Sequence, residues 1–83
     1  MLEVLNHPVE VLSLFTEGKI RPLRFRWRGR VVRVRRVTGE WHRREGHGKV
    51  HYFSVLAEND DYFELAYDIA LERWRICRVW LEG

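Results

Sequence analysis

Residues 23–37, LRFRWRGRVVRVRRV, alternate apolar and basic side chains. Leu23, Phe25 and Trp27 occupy one set of alternate positions, and Arg24, Arg26 and Arg28 the other. That is the period of a β-strand with one apolar and one cationic face. Gly29 supplies the positive φ that a tight hairpin turn requires. With Arg28-Gly29 as the loop, Trp27 falls opposite Arg30, Phe25 opposite Val32 and Leu23 opposite Val34. The apolar sets of the two strands then share a face, as a register fixed by burial demands. The other face sets Arg24 opposite Arg33 and Arg26 opposite Val31, with Arg35 one step further. Like charges directly opposite one another destabilise a sheet. This face is therefore either neutralised by acids from elsewhere in the chain or offered to an anion.

The flanking segments extend the β pattern. Residues 1–8 read as a loose lead-in, with Pro8 disfavouring helix at His7. Residues 9–15, VEVLSLF, read as a first strand, with a short helix over 9–17 as the competitor. Thr16-Glu17-Gly18-Lys19 is a turn, and Pro22 restricts entry to the second strand. The third strand starts at Arg30 and extends as far as Trp41, with a bulge or bend at Gly39. His42 to Gly48 reads as a polar loop tip, and residues 49–57 as a fourth strand. Residues 58–61 form a turn into a fifth strand, 62–67, with Leu56 facing Phe63 and Tyr52 facing Tyr67. Residues 68–72 are a connector able to form one helical turn. In the last strand, 73–81, Trp74, Ile76 and Trp80 take one face and Cys77, Val79 and Leu81 the other. The expectation is a single all-β domain over residues 1–83, its β part at 9–82. Its architecture would be an antiparallel meander of about six strands curled into a small SH3-like or OB-like barrel.

Charge adds a second level of organisation. The net charge is +3, but Lys19 to His51 holds twelve Lys and Arg against two acids, Glu40 and Glu45, while the remainder has three arginines against ten acids. A basic middle in an acidic remainder points to nucleic acid or another anion. The competing outcome is that the two parts neutralise each other on folding. Arginine outnumbers lysine thirteen to two, which fits a GC-rich genome or a hot environment. The single cysteine, Cys77, excludes an intrachain disulfide and a cysteine-based zinc site. A cytoplasmic protein with neither a signal peptide nor a membrane span is the simplest fit.

The pattern RPLRFRWRGR, then Trp41, VHYFSV, YFELAYD and RWRICRVW, resembles a small uncharacterised bacterial domain family. Members of that family occur as short stand-alone proteins and at the C-terminus of Y-family translesion DNA polymerase homologues. The match covers roughly residues 9–82, with the hairpin and the stretch from Asp68 to Trp74 as its most specific parts. The resemblance implies a setting of DNA damage tolerance. It implies no molecular activity and assigns no catalytic residue.

Arg24, Arg26, Arg33 and Arg35 are the candidate phosphate contacts, with Arg28, Arg30, Arg43, Arg44 and Lys49 extending the basic surface. Trp41, Tyr52, Phe53 and Tyr62 are candidate stacking platforms, against the alternative that they fill the core. His42, His47 and His51 do not follow a metal-ligand spacing, and Glu58, Asp60, Asp61 and Glu64 offer too few converging oxygens for a hard cation. Neither a metal nor another cofactor is expected. Cys77 lies among apolar neighbours, as an inert packed thiol does. No glycine-rich phosphate loop or nucleophile elbow occurs. The chain therefore reads as a non-catalytic module that binds DNA or RNA through its arginine hairpin. The runner-up is an adaptor that docks a translesion polymerase or another repair protein. The third reading is a structural domain with internally paired charges, compatible with a homodimer.

Overall fold

The computed structural model describes residues 1–82. They form seven strands: β1 (Leu2–Pro8), β2 (Val11–Thr16), β3 (Lys19–Trp27), β4 (Arg30–Glu45), β5 (Gly48–Ala57), β6 (Tyr62–Asp68) and β7 (Arg73–Trp80). All neighbours are antiparallel, in the order β1-β7-β6-β5-β4-β3-β2. Among the described residues there is no helix, and so none long and apolar enough to cross a membrane.

The expected hairpin forms in the expected register. Phe25 faces Val32, Arg26 faces Val31, Trp27 faces Arg30 and Arg24 faces Arg33. Arg28 and Gly29 both take positive φ, 50° and 74°, as a two-residue turn with the twist of its flanking strands requires. Phe25, Trp27 and Val32 are buried. The ladder ends at Arg24 and Arg33, so Leu23 and Val34 do not pair as expected; Val34 lies instead opposite Ala57 on β5.

Several other expectations are corrected. There are seven strands rather than six, because residues 2–8 are a strand and not a lead-in. Pro8 ends this edge strand, where a missing N–H costs no ladder bond. The sheet is not closed into a barrel: its two edges, β1 and β2, share no register pairs. They are joined covalently through Val9 and Glu10, whose backbones bond to Trp74 and Arg26. The sheet is nevertheless strongly curled. Phe25 on β3 and Phe63 on β6 are three strands apart, about 14 Å along a flat sheet, yet their ring centroids lie 4.9 Å apart. Trp27 meets the same Phe63 ring edge-on at 5.2 Å. Phe53, Val55, Leu65, Ile76 and Val79 complete this inner core.

The expected loop at residues 42–48 shrinks to Gly46-His47, because β4 runs on to Glu45. The β5–β6 register is one residue from expectation: Leu56 faces Tyr62 and Tyr52 faces Ala66. The strands leave residues 58–61 between them, as expected, but the closing pair is Ala57 and Asp61, so the turn itself spans three residues, 58–60. Ala57 N bonds to Asp61 O, and Asp60 takes the left-handed position (φ 72°) that completes such a turn. Residues 69–72 form a turn without a helix, with Asp68 accepting a hydrogen bond from Leu71 N. In β7 a bulge opposite Glu64 and Leu65 breaks strict alternation. Ile76 and Val79 therefore share the inner core, while Cys77 turns to a second cluster on the outer face with Val50, Tyr52 and Ala66.

Candidate nucleic-acid interface

The outer face of β2, β3 and β4 carries the hairpin arginines. Leu12, Arg24 and Arg33 stand in one row across the three strands, and Arg26 and Val31 form the next row. Leu12 and Val31 are half exposed, so the face interleaves cations with apolar side chains. Glu10, Leu12, Arg24, Arg26 and Val31 border a shallow depression there.

The acids of the chain reach only the margins of this face. Arg28 pairs with Glu3 of β1 at 2.9 Å and lies over its neighbour Trp27 at 4.3 Å. Arg35 pairs with Asp60 at 2.8 Å and donates to the Glu58 carbonyl. Arg26 meets Glu10 at only 3.9 Å, both side chains largely exposed, an arrangement that holds little energy. Among the described residues no acid pairs with Arg24 or Arg33.

The remaining candidates do not join this cluster. Arg43 lies ten positions beyond Arg33 on β4, about 30 Å along a strand. It sits over the Tyr52 ring at 5.5 Å. Arg44 faces Lys49 on the opposite side of the same hairpin, and Arg30 lies at the β3–β4 turn, opposite Trp27.

The aromatic platforms are corrected as well. Tyr52 and Phe53 are buried, Trp41 is half buried, and only Tyr62 is exposed. Trp41 stacks on Tyr52 with centroids 5.5 Å apart and planes 6° from parallel. Among the described residues, no aromatic lies in the two rows containing Arg24 and Arg26 on the outer face.

A second polar group lies on the outer face of β4, β5 and β7. The Tyr52 hydroxyl donates to Glu45, while Arg75 donates to both Glu45 and the Tyr52 oxygen at 3.2 Å. Burial, followed by the bond to Glu45 and its charge, pushes the Tyr52 phenol up to about 12. Burial likewise raises the Cys77 thiol, which removes the thiolate a nucleophile needs. On the inner side, His51 bonds to Glu40 at 3.1 Å and lies against His42, ring centroids 4.0 Å apart. Burial holds His51 below the ordinary imidazole range, with the His42 charge adding to it and Glu40 opposing. Among the described residues no three His, Cys, Asp or Glu side chains converge to hold a metal.

Sequence reasoning missed Arg21 and Arg36, which border a cleft where β3 and β4 part. The signal available in the sequence was the unequal reach of the hairpin arms, with Pro22 restricting the first and residues 30–41 reading as one strand; in the structure β3 has nine residues and β4 sixteen, so β4 outruns its partner.

The fold and this surface define a small, strongly curled all-β module with a cationic outer face. The chain belongs to the family described as a domain of unknown function (DUF6504), whose match covers residues 1–81. No curated protein and no solved structure matches the chain.

Proposed function

We propose that the chain is a non-catalytic module that binds nucleic acid by its phosphate backbone through the outer face of β3 and β4. The observation that carries this reading is the Arg24–Arg33 pair. Two guanidinium groups stand in register, without acidic partners, where mutual repulsion disfavours them unless an anion comes between. Arg26 stands beside them, held by one long, exposed contact. Guanidinium groups take phosphate oxygens bidentately, and Leu12 and Val31 offer apolar contact to sugars. The lack of an aromatic in these rows favours backbone contact over base stacking. The setting we propose is DNA repair or translesion synthesis in a bacterial cytoplasm, in line with the resemblance noted in the sequence.

Fluorescence anisotropy with single-stranded and duplex oligonucleotides at two salt concentrations tests this. Three phosphate contacts predict that log K falls against log salt with a slope of about −2 to −3. Changing Arg24 and Arg33 to Glu is expected to weaken binding by at least about tenfold while the fold persists. No binding at low salt would refute the proposal.

A further inference from the structure

β3 and β4 pair only between residues 24–27 and 30–33. Beyond Arg24 and Arg33 they part. Residues 19–22 of β3 pair with β2 alone, and residues 34–45 of β4 pair with β5 alone. Between them lies a cleft of about 780 Å³, walled by residues 19–23 and 34–40. Bulges at Val34–Arg36 and Val37–Gly39 bend β4 along this wall; from Gly39 to Glu45 its register is regular. Among the described residues, no further backbone hydrogen bond satisfies residues 34–45 on the side facing away from β5. An open strand edge is a template for another strand.

The cleft also carries a charge. Lys19, Arg21, Arg35 and Arg36 border it against one acid, Glu40, and that acid is bonded to His51. Arg35 is held by Asp60, which leaves Lys19, Arg21 and Arg36 as the cations without a partner among the described residues. Ile20 and Val37 contribute apolar wall. We propose that this cleft docks an extended acidic segment of a partner protein, which adds as a strand to the free edge of β4. A second copy of the chain fits poorly, because its β4 edge over residues 34–45 carries four arginines against two acids and would add charge of the same sign to the cleft. Nucleic acid does not fit either, because its backbone cannot continue a peptide ladder. Acidic residues alternating with aliphatic ones fit best, one set toward the guanidinium groups and the other toward Ile20 and Val37.

The test uses the whole chain and a fluorescein-labelled peptide of alternating Glu and Val, about eight residues long. Saturable binding is expected, with amide shifts mapping to residues 19–23 and 34–40. Arg21→Glu with Arg36→Glu should weaken binding by about tenfold or more, and a Lys-Val peptide should not bind. N-methylation of alternate peptide nitrogens should abolish binding, because it removes the ladder donors. The Arg24→Glu, Arg33→Glu variant should still bind the peptide, which separates this site from the nucleic-acid face. The proposal fails if the Glu-Val peptide does not bind, if shifts map elsewhere on the unaltered chain, or if the N-methylated peptide binds equally. Self-association of the free chain through β4 would also overturn it, by making a second copy the occupant.

Discussion

Arg24 and Arg33, the last pair of the β3–β4 ladder, differ from Arg28 at the turn and Arg35 beyond the ladder in company, not in chemistry. Glu3 reaches Arg28 from β1, which comes alongside because the curled sheet brings its edges together. Asp60 reaches Arg35 from the β5–β6 turn. Between them, Arg24 and Arg33 have Leu12 as their neighbour on β2 and, among the described residues, no acid. At this hairpin the acidic remainder of the chain therefore neutralises Arg28 and Arg35 and, among the described residues, leaves Arg24 and Arg33 between them without an acid. Overall charge could not distinguish these cases; they follow from which strand lies beside which.

The comparison rests on a rigid seat under the hairpin, so the largest effect should come from removing it. Phe63 is fully buried and touches both Phe25 and Trp27 edge-on. Phe63→Ala is expected to cost about 3–5 kcal/mol, measured by urea unfolding. In so small a domain that is enough to unfold much of the population at ambient temperature. Both classes of arginine would then lose their positions together.

The next effect separates the two classes. Arg24→Glu with Arg33→Glu should weaken oligonucleotide binding by at least about tenfold, or about 1.4 kcal/mol. Arg28→Ala and Arg35→Ala should each leave it within about threefold, since a surface charge already paired contributes little. Anisotropy on the four proteins at one low salt concentration decides. The double reversal takes away four units of charge and each alanine one, so an equal loss per unit of charge across both classes would mean that only net charge matters and that the row has no special standing.

Arg75 is a third kind of arginine, engaged on both sides by Glu45 and Tyr52. Its neighbourhood supplies a pH test. The Tyr52 phenol stands at about 12 in the fold, against about 10 in an unfolded chain. The folded state thus keeps this proton longer than the unfolded state. The stability it contributes is complete below about pH 10 and is lost as pH rises from there to about 12. Ultraviolet titration should resolve one tyrosine ionising near the upper limit, and Glu45→Gln should bring it down.

The hairpin was legible in the sequence because three signals agreed: alternation, the Arg28-Gly29 turn and the pairing of apolar sets. The rest of the fold lost legibility where one residue more or less decides a face. The three-residue turn ending in left-handed Asp60 shifted β5 against β6 by one position. The bulge near Cys77 put Ile76 and Val79 on one side. Neither irregularity carries a glycine or proline to mark it. β1 was hidden for a different reason: residues 2–8 lack strong alternation and form a strand only because β7 offers an edge for them. For the candidate site, the sequence supplied Arg24 opposite Arg33. Which arginines are neutralised depends on Glu3 and Asp60, 25 positions away from Arg28 and Arg35 in the chain, and no local pattern encodes that.

The smallest effects have opposite signs in the two classes. Arg35 gives up an ion pair to Asp60 and a hydrogen bond to Glu58 O when changed to Ala. Both partners are exposed enough that the loss should be only about 0.5–1 kcal/mol. Arg24→Thr removes one of two like charges facing each other across the ladder and substitutes a residue suited to strands. It should raise stability by about 0.2–1 kcal/mol while weakening oligonucleotide binding. The gain comes from relieved repulsion, so it should shrink as salt screens the pair, whereas any gain from strand propensity alone would persist. Thermal melts at low and high salt separate the two contributions. A stabilisation that fades with salt, joined to a loss of binding, identifies Arg24 as a residue kept at a cost to the fold. A destabilisation at low salt would mean that its charge is already satisfied in the free protein, and the distinction between the two classes would fall.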